Sequence, residues 1–226
     1  EAFCKIYPNF NIAYSYKTNY TPKLCKIVNA LGGYAEVVSE MELEIARRIG
    51  MEPERIIWNG PIKEPKVLEE FICSGGTVNI DSLEELKVVK DIAKRYSQTL
   101  LNVGIRCNYD VGDGVVSRFG FDVDSEDFKD AIAFVVSTPY VKLINFQCHF
   151  ANRQVEYWPA RAKGMVELID RLGIIPERID IGGGLFGKMA DSLKVQFASD
   201  IPAYTVYAEA AATVFADYFR FSDVWP

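Results

Sequence analysis

Short apolar runs alternate with amphipathic stretches along nearly the whole chain, a pattern that few architectures accept. Runs at Ile12–Tyr16, Tyr34–Val38, Arg55–Trp58, Thr77–Ile80, Leu100–Arg106, Val141–Gln147 and Arg178–Ile181 predict strands. Between them, Thr21–Leu31, Glu40–Ile49, Pro65–Cys73, Ser82–Tyr96, Ser125–Val136, Gln154–Leu172 and Ala203–Tyr218 predict helices. Several carry a start signal, as where Ser82 is followed three residues later by Glu85. Strands this short and apolar are expected to be covered on both faces. Strand–helix alternation predicts a parallel sheet with right-handed crossovers. Pro53-Glu54-Arg55-Ile56 and Pro176-Glu177-Arg178-Ile179 each lead into a strand, a weak internal echo of one unit. No linker, low-complexity tract or composition shift divides the chain, so residues 1–226 read as one domain.

Seven strand–helix units approach the eight of a (β/α)8 barrel, with a doubly wound open sheet as the alternative. The unusual residues separate the two. Lys17 ends the first predicted strand, Arg106 the fifth, His149 follows the sixth and Gly182-Gly183-Gly184 follows the seventh. A barrel gathers all strand C-termini on one rim, whereas an open sheet concentrates its site at one switch point. The spread predicts an α/β barrel of the TIM type.

Composition removes several function classes. A formal charge of -6, with no long basic run, argues against a nucleic-acid footprint. Five cysteines, odd in number and without a CxxC pair, read as reduced cytoplasmic thiols, neither a disulfide framework nor a zinc site. No apolar stretch is long enough for a membrane span. The start, Glu1-Ala2-Phe3-Cys4-Lys5, lacks signal-peptide character and reads as a chain already in progress.

Three features carry chemistry. Lys17 sits at a strand end among Tyr14, Tyr16 and Tyr20, where desolvation is expected to raise the neutral amine fraction that attacks an aldehyde. A lone lysine is otherwise a solvated charge. His149, the only histidine, offers a flat ring for stacking or, failing that, a structural contact. Asp180-Ile181-Gly182-Gly183-Gly184 lets backbone N–H groups approach an anion, or else is a tight turn. An amine for imine formation, a stacking ring and a phosphate cradle are the parts of a pyridoxal 5'-phosphate (PLP) site.

At these residues the chain resembles the PLP-dependent decarboxylases of ornithine, arginine and diaminopimelate, built on an alanine-racemase-like barrel. Tyr14-Ser15-Tyr16-Lys17-Thr18-Asn19 is similar to the family's Tyr-Ala-x-Lys-Ala-Asn. Glu36-Val37-Val38-Ser39 with Glu42 resembles Phe-Asp-x-x-Ser-x-x-Glu, and Asn79 to Leu86 is close to a common family stretch. Gly104-Ile105-Arg106-Cys107-Asn108 resembles Leu-Arg-x-Asn, and Ser117-Arg118-Phe119-Gly120 resembles Lys-Phe-Gly. Asp180 to Gly184 reproduces Asp-Ile-Gly-Gly-Gly.

The resemblance implies a Schiff base between PLP and Lys17, with His149 stacked on the cofactor ring. It implies phosphate contacts from Gly182, Gly183, Gly184 and Asn152, with Glu36 and Arg106 supporting the ring and the lysine. The activity implied is decarboxylation of an amino acid substrate in a cytoplasmic homodimer. A racemase or PLP carrier on the same barrel, or a non-catalytic phosphate-binding barrel, are the alternatives. The sequence departs from the family in His149-Phe150-Ala151-Asn152, which stands for His-x-Gly-Ser, and in Glu36, which stands for aspartate. Glu209 lies in helical composition and is not read as the Glu-Pro-Gly-Arg glutamate. The chain is therefore expected to stop before an eighth strand, to lack the family's C-terminal β domain and to be part of a longer protein.

Overall fold

The computed structural model describes residues 1–197 and 201–220. Its sheet contains β1 (Ala13–Ser15), β2 (Tyr34–Val37), β3 (Ile56–Trp58), β4 (Thr77–Ile80), β5 (Leu101–Asn108), β6 (Phe121–Asp122), β7 (Val141–Gln147) and β8 (Arg178–Asp180). The helices are α1 (Ala2–Ile6), α2 (Pro22–Ala30), α3 (Glu40–Arg48), α4 (Pro65–Cys73), α5 (Leu83–Arg95), α6 (Glu126–Ser137), α7 (Trp158–Leu172), α8 (Asp191–Lys194) and α9 (Tyr204–Arg220).

Spatial order decides the architecture. The strands run β1-β2-β3-β4-β5-β7-β8, every pair parallel, with β6 attached to the end of β5. Among the described residues the order never reverses, so they form no switch point and no doubly wound sheet. Laid flat, the six spacings from β1 to β8 would span roughly 29 Å. Yet Lys17, just after β1, and Gly182, just after β8, line the same cavity, so the sheet curls into a partial barrel. Among the described residues no pairing joins β1 to β8. The expected stop before an eighth strand falls at residues 221–226, outside the described residues.

The helices cover the outer face, as the apolar strands require. Every residue of β3 and β4 is buried, and Trp58 of β3 meets Phe71 of α4 edge-on at 5.8 Å. Inside the curl lies a polar layer in which Asn79 bonds to Asn59 and Asn145. Gly104 of β5 makes room for it, because a Cβ there would fall 1.7 Å from Asn79 Oδ1.

All seven predicted strands and all seven predicted helices are present, Thr77–Ile80 and Pro65–Cys73 with the expected bounds and the others with shifted ends. Missed were α1, α8 and the two-residue β6, each too short to show a period. The first strand ends at Ser15, and Tyr16–Thr18 form a 3-10 turn, so Lys17 follows the strand instead of ending it. Glu209 lies exposed within α9. Each of the five cysteines is free, and no described helix is long and apolar enough to cross a membrane.

Candidate active site

The turn that presents Lys17 is fastened locally. Thr18 Oγ1 donates to Ser15 O (2.7 Å), Tyr14 Oη donates to Asn19 O (2.9 Å), and the Asn19 side chain accepts from Thr21 N and Oγ1. Tyr16 is wholly buried, which turns its neighbour Lys17 outward to the cavity mouth. Lys17 is exposed. The desolvation expected from Tyr14, Tyr16 and Tyr20 is therefore not found: Tyr16 faces the core, Tyr20 faces solvent, and the rings leave the amine open.

Two acids stand behind that amine. Glu36 on β2 lines the cavity. Glu42, on the first turn of α3, is buried and accepts Val38 N–H at 2.7 Å, while Ser39 Oγ caps the helix through Glu42 N. Burial pushes the Glu42 carboxyl up, the Val38 N–H opposes this, Glu36 adds to the rise and Lys17 pulls it down.

His149 lies beyond β7, half-buried on the cavity wall, and its Nδ1 accepts Gly183 N–H at 3.3 Å. That contact puts the neutral ring's proton on Nε2. Burial, and then the positive charges of Lys17, Arg106, Arg161 and Arg153, push its pKa down to about 4. The ring is thus uncharged at neutral pH. Between pH 6.5 and 4 the unfolded chain binds a proton that the folded chain refuses. Stability therefore falls as pH drops through that window, by up to about 1.4 kcal/mol per pH unit. With one histidine in the chain, a single imidazole resonance followed by NMR checks this. Its midpoint is expected about 4 and should rise in Lys17→Met; a midpoint near 6.5 would refute the buried, cation-flanked placement.

The glycine loop follows β8. Gly182 and Gly184 adopt left-handed φ of 72° and 105°, and Gly182 N donates to Asp180 Oδ1 at 2.8 Å. Burial, reinforced by Glu36, raises Asp180 to about 6, against bonds from Gly182 and Asn59. A Cβ on Gly182 would lie 2.5 Å from Cys148 O and 2.8 Å from His149 Nδ1, so only glycine lets the loop seat against the histidine. Around Gly183 a Cβ would meet nothing within 4 Å, which leaves open the space a phosphate would take.

Arg106, at the end of β5, is buried and pairs with Asp81 at 2.7 Å. Its guanidinium lies 5.0 Å from the Phe119 ring, with Arg118 at the same distance from that ring. Asn108 Nδ2 donates to Ser117 O (3.1 Å), which ties the loop carrying Ser117, Arg118 and Phe119 back to the end of β5. Asp81 is held in turn: its N–H donates to Glu85, whose carboxylate takes the buried Lys63 ammonium at 2.9 Å. Lys63 also donates to Gly60 O and Asn79 O, so all three of its N–H groups are used.

Seven of the eight candidate residues, Lys17, Glu36, Arg106, His149, Gly182, Gly183 and Gly184, line one cavity. Asn152 is the exception. Its Oδ1 accepts Gln154 N–H (3.0 Å) in a local turn, and it is not part of the cavity wall, where Arg153 stands. The bond uses the amide oxygen in an Asx-type turn, so it is the position of the side chain off the wall that separates Asn152 from the other seven. Glu42, Lys63 and Arg161 escaped sequence reasoning as site residues. Only for Glu42 was there a signal, the Ser-x-x-Glu spacing shared by Ser39–Glu42 and Ser82–Glu85.

An amine, a neutral ring, a positive-φ glycine loop and an arginine-rich wall, gathered at the C-terminal rim of a parallel β/α barrel, define a site for a phosphorylated aldehyde cofactor. The family model described as pyridoxal-dependent decarboxylase, pyridoxal binding domain, matches residues 1–223, and the chain belongs to that family, whose cofactor is PLP. It is 28% identical over 198 residues to diaminopimelate decarboxylase of Aquifex aeolicus, covering 82% of this chain and 47% of that protein. It is 30% identical over 192 residues to the diaminopimelate decarboxylase of Actinosynnema pretiosum, covering 81% and 44%. The crystal structure of diaminopimelate decarboxylase from M. jannaschii shares the fold, with a TM-score of 0.77 at 23% identity over 96% of this chain and 54% of that one. The chain thus spans about half the length of the relatives it matches.

Proposed function

We propose that this chain is the cofactor-binding barrel of a PLP-dependent amino acid decarboxylase, with Lys17 as the lysine whose amine holds the cofactor. The observation that carries the reading is the single cavity shared by Lys17, His149 and Gly182–Gly184. When bound, PLP supplies the electron sink that takes up the pair released from the bond to the departing carboxylate. The protein's part is positioning and charge. Lys17 stands exposed at the cavity mouth, where its amine would hold the cofactor and could exchange a proton with Glu36 on the same wall. The uncharged His149 ring presents a flat face fixed by Gly183 N–H. The glycine loop offers a free backbone donor to the phosphate, and Arg106, pinned between Asp81 and Phe119, stiffens the cavity wall.

Diaminopimelate is the first substrate to try, because the relatives named above are decarboxylases of it; ornithine, arginine and lysine follow. A cytoplasmic homodimer belongs to the same reading, as the resemblance implies. The test is borohydride reduction in the presence of PLP, followed by peptide mass mapping. A phosphopyridoxyl group is expected on Lys17, no such adduct in Lys17→Ala, and release of carbon dioxide from one of the four amino acids by the unsubstituted protein only. Labelling spread over surface lysines would remove the assignment of Lys17.

A further inference from the structure

Arg161, on the second turn of α7, has no exposed surface at all. Nη1 donates to Gly183 O at 2.9 Å, and Nη2 donates to Phe150 O at 3.4 Å and to Asn152 O. The guanidinium also packs 4.5 Å from the Trp158 ring and 5.8 Å from that of Phe150. Among the described residues no carboxylate lies within ion-pair distance of it, and its Nε has no acceptor. A buried cation is ordinarily matched by a buried anion, since desolvating an unpaired charge is costly. Here carbonyl dipoles and two ring faces meet it, and Asp113 acts on it only from beyond ion-pair distance.

Those carbonyls belong to the two segments that frame the cradle, one following β7 and the other following β8. The bond to Gly183 O has a geometric consequence. In a planar trans peptide the C=O and the next N–H point in opposite directions. With Gly183 O drawn inward to Arg161, the N–H of Gly184 is turned outward, and Gly184 lines the cavity. Among the described residues that N–H has no protein acceptor, whereas Gly183 N–H is already committed to His149. Arg153, also on the wall, brings its Cγ within 3.6 Å of where a Gly184 Cβ would sit, and its guanidinium lies 5.9 Å from the Phe186 ring.

We infer that Arg161 is the positioning residue of the anion cradle: it orients the Gly183–Gly184 peptide so that Gly184 N–H receives the phosphate, and its unpaired charge makes that position select a dianion. The inference rests on the reading of the cavity as a PLP site. It assigns the burial of Arg161 to phosphate selection and not to core packing.

The experiment compares PLP with pyridoxal, which lacks the phosphate, by the concentration at which borohydride labels half of Lys17. The unsubstituted protein is expected to prefer PLP. In Arg161→Gln that preference should shrink about tenfold or more, the scale of a lost charge-assisted bond. Arg161→Lys, which keeps the charge, should restore part of it. Equal weakening toward both aldehydes would show Arg161 to be a packing residue and overturn the inference, while leaving Lys17 and the cofactor reading intact. Absence of Lys17 labelling in the unsubstituted protein would overturn both. Should Arg161→Gln not fold, inorganic phosphate titrated into the unsubstituted protein decides. The Gly184 amide resonance is then expected to move well beyond that of Gly183, and an unmoved Gly184 amide overturns the inference.

Discussion

Replacing Lys63 by methionine is expected to lower the free energy of unfolding by about 3–5 kcal/mol, the cost of breaking a buried ion pair from one side. Lys63 has no exposed side-chain surface, and Glu85 has almost none. Burial pushes the lysine down and the glutamate up, each opposed by the other's charge. Removing the ammonium leaves Glu85 with the single N–H of Asp81, and strips Gly60 O and Asn79 O of their donor. The double variant Lys63→Met/Glu85→Leu should recover part of the loss, since no unpaired charge then stays buried. Urea unfolding checks this through the midpoint at constant slope. A loss below about 1 kcal/mol in the single variant would show that the pair is not desolvated as placed. The effect should also reach the site. Glu85 holds Asp81, and Asp81 holds Arg106, so the variant's cofactor labelling is expected to weaken even where it is folded.

Gly182→Ala is expected to combine a stability loss of about 1–3 kcal/mol with loss of cofactor capture at Lys17. The residue sits at φ 72°, a region alanine enters only with strain, and its new methyl would press on Cys148 O and His149 Nδ1. The Cys148 backbone cannot yield cheaply. Cys148 N–H continues the β7–β8 ladder through Asp180 O, and Cys148 O accepts from Gln147 Nε2 (2.9 Å). The histidine ring is therefore expected to be displaced, taking with it the contact to Gly183 N–H. Gly183→Ala is the control: its Cβ would meet nothing within 4 Å and its φ is not left-handed, so its stability should stay within about 0.5 kcal/mol of the parent. Thermal unfolding of both variants checks the pair, since only stability separates a methyl pressed on Cys148 O and His149 from one in open space. Equal behaviour would mean that the loop does not seat against His149.

The sequence by itself determined the barrel and the parts of the site that local chemistry marks. Seven apolar runs with seven amphipathic partners leave a parallel sheet as the way to bury both faces of each strand. Three consecutive glycines announce a backbone that must take left-handed φ or approach something closely. Lys17, His149 and Gly182–Gly184 were legible because each stands at the C-terminal side of a strand, and a parallel barrel brings those positions to one rim.

What only the tertiary structure decided is where charge is buried and what each polar group bonds. Arg161 lies in an amphipathic helix, where an arginine ordinarily reads as solvated surface. Only the closing of α7 over the two loops removes its guanidinium from water. Lys63 follows an Asn-Gly-Pro-Ile turn and reads as solvent-facing, yet β4 and α5 enclose it. Lys17 shows the reverse, since its aromatic neighbours suggested burial and the alternation of Tyr16 into the core left it open. Asn152 resembled the family's phosphate position in sequence but stands off the cavity wall, in a local turn with Gln154. Periodicity reports which face of an element is apolar. The sign and depth of the field at a single side chain depend on groups from several elements, which no local window of sequence contains.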